Sequence, residues 1–521
     1  MKNKLTIKSS YLFGCILIIA GIVFFVSLKR LFFFDEDIFV ADDSSGFFNQ
    51  IWQRVPICKF IYVLENIFFG KNPAGYHITN LLFHLANAVL GLLVLQQLLK
   101  LCDAFFTPFQ LTAIPFIFFI IFLCAPMHSE SLCYILARDG SIVAFFCLLS
   151  ILFFLKSGLN NRSFLLLSLI SFLVALFTYE ISWLLPVIIL GITIFWCYSK
   201  RLSIKKHLHF VLPFFILFAV WFLVKIVFVD KMEISDYKNE SLLKINFLTL
   251  LKNNTVLFLR NFIPPMRDTR FFLSASTLFG GALATAFFKI YKKNKPVFFF
   301  CLLLLLLIFS GFFATVLIGI DSHDSESERY IYFSSCFAMM LLATLLVSII
   351  NNKWVLLTVV FMICGTYFFI LSKTINYYKE AGLFSQYYMS IIKSNTADKK
   401  TVILIDMPSQ HHGALMFRAK SRIDNNVKNS VTTLNEFMTY LYPQAKDATL
   451  YIALSSTAIN TIPSIAAVCN KPLDSINYYY PASKINLNDG TVITDKEESY
   501  SFLKSQTAII VLKDSCLFVF K

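Results

Sequence analysis

From its first residues to about position 375, the chain alternates long apolar runs with short polar breaks. A helix rises about 1.5 Å per residue, so about 20 apolar residues cross a hydrocarbon core of about 30 Å. Runs of that kind cover Tyr11–Leu28, Tyr76–Leu99, Phe109–Ala125, Ser141–Leu155, Ser163–Thr178, Ile181–Tyr198, His207–Val229, Phe271–Tyr291, Pro296–Ile320, Tyr330–Ile350 and Trp354–Ser372. They predict a polytopic helical bundle of about eleven spans. The first run follows Lys2, Lys4 and Lys8, as a signal peptide would. It is long, however, and ends in Lys29 and Arg30 without a small-residue cleavage site, so it reads as a retained first span.

Beyond Asn376 the pattern changes. Short β-branched or aromatic runs at Thr401–Ile405, Leu450–Ala453, Ala508–Leu512 and Leu517–Phe520 are separated by polar, helix-like stretches. These predict a small C-terminal α/β domain over 376–521. The expected fold is therefore mainly α: a transmembrane domain over 1–375 with a large first external loop at 30–75, followed by that domain.

Composition agrees. Of 521 residues, 57% are hydrophobic, 15% are charged and 59 are Phe, so the solvent for most of the chain is lipid. A net charge of +15 would point to nucleic acid in a soluble protein. Here the basic residues fall between apolar runs, so the bilayer is the expected partner and nucleic acid is not. With alternating spans, Lys100, Lys156, Arg162, Lys200, Arg201, Lys289, Lys292, Lys293, Lys295 and Lys353 share one side with the N-terminal lysines, which the positive-inside rule makes cytoplasmic. The opposite loops carry nearly all the remaining acids, and an odd span count places the tail beyond Asn376 outside as well.

The twelve Cys form no CxxC pair. A zinc site is not expected, and a disulfide between Cys469 and Cys516 stays open beside two ordinary buried thiols. No GxGxxG or GxxxxGK[ST] loop is present, so nucleotide-driven chemistry has no support, and neither a cofactor nor a metal is expected.

The chemistry-bearing residues gather at one set of span ends. Asp35, Glu36 and Asp37 follow the first span, where mutual repulsion favours a proton shared between two carboxyls and leaves another as a base. A solvated acidic turn that sets topology is the plain alternative. His77, Asn80, His84 and Asn87 recur at helical spacing along the second span, as a polar stripe facing the bundle interior does. For Asn80, His84 and Asn87 the simpler role is hydrogen bonding between helices. His128 and Glu130 precede Arg138 between the third and fourth spans, a set able to orient a sugar and clamp a phosphate. Glu180 sits in a very short turn, Glu328 and Arg329 stand at the mouth of the tenth run, and Arg267 lies in another polar external stretch.

The run FDEDIFVADD, Arg54 with Pro56, NPAGYHITNLLFHLANAVL, PMHSESLCYILARDG, Glu180 and ERYIYFSS together resemble the multispan C-type (GT-C) glycosyltransferases. The most similar branch holds the transmembrane and tetratricopeptide-repeat O-mannosyltransferases and their bacterial relatives. The resemblance runs in order from about Phe34 to Ser335. The sequence departs from the family pattern at Ala125, Tyr179 and Ser334, and its tail lacks the 34-residue repeats.

The resemblance implies a polyprenyl-phosphate sugar as donor and the acids of the first external loop, here Asp35, Glu36 and Asp37, as the catalytic site. It also implies inversion at the anomeric carbon, with mannose the first sugar to consider. The acceptor is an unidentified hydroxyl on a protein, glycan or lipid, and Arg54, His77, His128, Glu130, Arg138, Glu180, Arg267, Glu328 and Arg329 would bind substrate. The expected setting is a bacterial inner (plasma) membrane with the site facing the periplasm or exterior. A lipid-linked glycan flippase or polysaccharide transporter is the rival reading. It should show inverted repeats and helices broken near the midplane, neither of which the sequence displays.

Overall fold

The protein is described here as a computed structural model. The described residues are 2–29, 31, 56–158, 161–228, 247–266, 268–320, 322–323, 325, 327–396, 399–405, 407–411, 414–415, 450–453, 456–459, 465, 467–471, 485–486, 491–493, 499–501, 507–513 and 516–520. Asp35, Glu36, Asp37, Arg54 and Arg267 lie outside them.

Every predicted span has a helix. In chain order these are α1 (Lys2–Leu28), α2 (Pro56–Phe69), α3 (Pro73–Leu101), α4 (Pro108–Cys124), α5 (Ser129–Cys133), α6 (Asp139–Ser157), α7 (Arg162–Leu176), α8 (Leu185–Lys200), α9 (Leu212–Phe228), α10 (Phe247–Arg260), α11 (Thr269–Lys293), α12 (Lys295–Phe312), α13 (Tyr332–Ile349) and α14 (Lys353–Asn395). Of these, α2, α5 and α10 were not among the predicted spans, and each is too short to cross a bilayer alone. Seven helical segments among the described residues have the length and apolar character of a span. Two bent pairs, Pro108–Cys124 with Pro126–Cys133 and Ile204–Phe210 with Leu212–Lys225, pass the test together.

The side chains facing away from the bundle are as apolar as those within it. Phe361 is 79% exposed and Leu278 is 75% exposed, an arrangement that suits lipid and not water. Among helices in lipid, close packing and hydrogen bonds replace the hydrophobic drive. Ser150 and Ser168 lock α6 to α7 reciprocally, each hydroxyl donating to the other residue's backbone carbonyl at 2.8 and 2.7 Å.

The described residues fall into two compact units, the first containing Ala74–Ile375 and the second Asn376–Lys521. The second unit carries a five-stranded sheet in the order Leu450–Ala453, Thr401–Ile405, Thr507–Lys513, Cys516–Phe520, Ala467–Lys471. Within this sheet, among the described residues, Thr507–Lys513 and Cys516–Phe520 run antiparallel and the other three pairs run parallel. Val402, Ile403, Leu404, Ile509 and Ile510 are wholly buried, as the continuous apolar runs of parallel strands require. Cys469, on the edge strand, is disulfide-bonded.

Glycine permits a close approach of three helices. A Cβ on Gly91 of α3 would lie 2.7 Å from the Phe118 ring of α4 and 2.8 Å from Cys336 Sγ of α13. Gly91→Ala is therefore expected to destabilise by about 1–3 kcal/mol in detergent thermal unfolding. Gly365→Ala in α14, where a Cβ meets nothing within 4 Å, is expected to be neutral or slightly stabilising.

Candidate functional site

The site begins with a broken helix. Thr107 caps α4 with a full capping box, and the helix stops at Cys124 because Pro126 supplies no N–H and pushes Ala125 into an extended conformation (φ −66°, ψ 121°). The chain then bends by 56° into Pro126–Cys133. The sequence placed His128 and Glu130 in an external loop. The bend instead carries them inside, with His128 0% and Glu130 2% exposed.

Two adjacent dipeptides interlock there. Ser129 Oγ donates to Glu328 Oε2 at 2.7 Å, while Glu130 Oε2 accepts the backbone N–H of Arg329 at 2.8 Å. Arg329 Nη1 lies 3.4 Å from Glu130 Oε1, and Arg260 Nη2 donates to Glu328 Oε1 at 2.7 Å. Burial raises the Glu328 carboxyl to about 7, against the pull of Arg260 and of the Ser129 hydroxyl. The backbone is drawn close as well. A Cβ on Gly140 would sit 2.5 Å from the Arg329 carbonyl oxygen, and Ser327 holds a left-handed φ of 72° just before the pair.

The polar stripe of α3 points into the same region, and His77, Asn80, His84 and Asn87 are all wholly buried. Asn80 Nδ2 donates to the Leu132 carbonyl at 3.1 Å, and Asn87 Nδ2 to the Ser141 carbonyl at 2.8 Å. His84 Nδ1 is 2.8 Å from the Tyr332 hydroxyl, and His128 Nε2 is 2.7 Å from Ser335 Oγ. The two imidazoles lie 5.1 Å apart, each against Phe122. The three stripe residues read as helix-to-helix bonds do make them. His77 was expected near the surface and is not exposed.

Arg138 is occupied differently from the expectation. Its guanidinium is wholly buried, with Nη1 2.5 Å from Glu65 Oε1, Nε donating to the Ile135 carbonyl at 3.0 Å, and its Cζ 4.8 Å from the centroid of the Tyr62 ring. It ties α2 to the turn before α6 instead of standing open to a phosphate. Glu65 was missed in the sequence because it lies in a short amphipathic helix and not beside a predicted span.

Arg329 is the guanidinium that keeps an open side. Its side chain is 21% exposed, its buried Nε has no partner, and it lies over the Tyr330 ring at 5.2 Å. Tyr330 in turn stacks on Tyr179 at 6.3 Å, with 9° between the rings. The next residue, Glu180, meets Lys225 Nζ at 3.3 Å, and that ammonium also lies 5.2 Å from the Trp221 ring and 5.6 Å from Trp183. Lys225 was not singled out from the sequence, although a lone charge within LPFFILFAVWFLVKIVF is the signal that could have found it. Arg260 is the partner of Glu328, 68 positions away, and nothing local in the sequence marks the pairing.

The described residues thus make an integral membrane helical bundle with a buried, charged cluster and a small C-terminal sheet. No family model matches the sequence, and no curated protein matches it. Among solved structures the chain is similar to the crystal structure of ArnT from Cupriavidus metallidurans in the apo state, at 15% identity over 77% of this chain and 83% of that one, with a TM-score of 0.41. It is also similar to ArnT from the same organism bound to undecaprenyl phosphate, at 14% identity over 86% and 90% of the two chains, with a TM-score of 0.44.

Removing one member of a buried ion pair leaves an uncompensated charge, which costs about 3–5 kcal/mol. Glu65→Ala is expected to lose that much stability in thermal unfolding, and the Glu65→Leu, Arg138→Met double variant to recover most of it. A double variant as unstable as the single would show that the pair supports more than its own charges.

Proposed function

We propose that the chain is a membrane-embedded glycosyltransferase that moves a sugar from a polyprenyl-phosphate donor to an acceptor hydroxyl on the extracytoplasmic side. The observation that carries this reading is convergence. Three of the segments that carry the family resemblance, around His77–Asn87, Pro126–Asp139 and Glu328–Ser335, lie far apart in sequence and interlock through Ser129, Glu130, Asn80, His84, Asn87 and His128. Helix-to-helix adhesion alone needs hydroxyls and amides, not two carboxylate–guanidinium pairs that must each be desolvated.

Asp35 or Asp37 takes the proton of the acceptor hydroxyl as its oxygen attacks the anomeric carbon. The bond from that carbon to the donor phosphate breaks, and its electrons leave with the phosphate, whose charge Arg329 receives. Attack opposite the leaving phosphate inverts the configuration, and mannose fits the branch that the motifs resemble. Glu130 fixes Arg329 through both its backbone and its side chain, which presents the guanidinium without reorganisation. The transporter reading calls for inverted repeats as well as broken helices. Two bent helix pairs are present among the described residues, but the inverted repeats a transporter would pair with them are not displayed by the sequence.

The test is incubation of purified protein with a panel of polyprenyl-phosphate sugars, following released polyprenyl phosphate. The unmodified protein is expected to release it from at least one donor, and the Asp35→Asn, Asp37→Asn double variant to lose about 100-fold or more of that rate while still inserting in the membrane. Full transfer by the double variant would sink the catalytic assignment.

A further inference from the structure

The lysine-rich ends of the helices hold a cavity that the transfer reaction does not use. It has a volume of about 410 Å³ and lies where three connections meet: the turn Asp103–Phe105 before α4, Asn294 between α11 and α12, and Ile350 to Asn351 after α13. The polar groups on its wall are donors. Lys293 Nζ donates to Asn351 Oδ1 at 3.2 Å, which leaves the ammonium its other protons and Asn351 its amide N–H groups. Gln110 Oε1 accepts the Thr107 backbone N–H at 2.9 Å, so its amide nitrogen remains as a donor too.

Ser348 is the most telling of them. It is 6% exposed, lines the cavity, and its hydroxyl has no partner. Thr344, one turn earlier in the same helix, bonds back to the Met340 carbonyl at 2.8 Å as buried helical hydroxyls ordinarily do. Asn294 is satisfied on both sides, by the Phe105 carbonyl and the Val297 N–H, and serves to hold the walls. No carboxylate lines the cavity. The neighbouring Asp103 is exposed and turned to Lys200 at 3.7 Å. Lys353 lies close by over the Phe109 ring at 5.2 Å and adds positive charge.

Donors without acceptors, one of them cationic, describe an anion site, and the apolar remainder of the wall, including Phe105, Phe109 and Ile290, describes what is attached to the anion. We propose that this cavity binds the phosphate headgroup of a lipid, with Lys293, Gln110, Asn351 and Ser348 as the phosphate donors and the aromatic wall taking the first atoms of the chains. This second lipid site is separate from the Arg329 cluster and stands whether or not the glycosyltransferase reading does.

The test uses the full chain in detergent, with short-chain phosphatidic acid binding followed by native mass spectrometry. Lys293→Ala is expected to weaken binding roughly five-fold. Ser348→Ala is expected to weaken it in the same direction, whereas Lys289→Ala, on an exposed lysine one turn away that does not line the cavity, should leave it unchanged. Equal losses in Lys293→Ala and Lys289→Ala would overturn the proposal in favour of general surface charge. Displacement of the lipid by an equal concentration of inorganic phosphate would overturn it in favour of a soluble anion.

Discussion

A carboxylate inside an apolar bundle costs several kcal/mol unless a cation and hydrogen bonds meet it there. Glu65, Glu130 and Glu328 are each at most 4% exposed, and each is answered by a guanidinium, from Arg138, Arg329 and Arg260 respectively. That requirement organises the end of the bundle. It draws α2 against the turn before α6, pulls the bent Pro126–Cys133 segment under the turn at Glu328, and brings the end of α10 to the same point. Such pairs are a poor way to gain stability, since a well-packed apolar isostere does as well. Their presence three times over is better explained by a need for fixed charge.

The charges differ in what they leave open. Arg138 and Arg260 are wholly enclosed, whereas the Arg329 side chain is 21% exposed and lies in a row with Tyr330, Tyr179, Glu180 and Lys225. Enclosed pairs hold the frame, and Arg329 alone of the three keeps part of its side chain exposed. Glu130 binds the backbone as well as the side chain of residue 329, so the carboxylate positions this cation in addition to neutralising it.

Much of this was legible in the sequence because the bilayer imposes a length rule and a polar group in an apolar run is conspicuous. The spans, the strands at Thr401–Ile405 and Leu450–Ala453, and the α3 stripe all follow from periodicity. The depth of His128 and Glu130 was not legible, since PMHSE reads as an ordinary polar connection and only the bend at Ala125 turns it inward. Nor were the partners. Arg138 and Glu65 stand 73 positions apart and Arg260 and Glu328 68 apart, and no local pattern links them. The preference of buried charge for opposite charge predicts that partners exist without saying which residues they are.

In the proposed reaction Arg329 is the group that meets the donor phosphate. Donor affinity of Arg329→Lys, measured with a polyprenyl-phosphate sugar on the purified protein, tests this most directly. An ammonium keeps the charge but loses the planar fork that spans two phosphate oxygens while Glu130 holds its base. Donor binding by Arg329→Lys is expected to be clearly weaker, roughly ten-fold, with the fold intact by thermal unfolding. Unchanged donor affinity in Arg329→Lys and in Arg329→Ala would contradict it and leave Arg329 as a structural partner of Glu130.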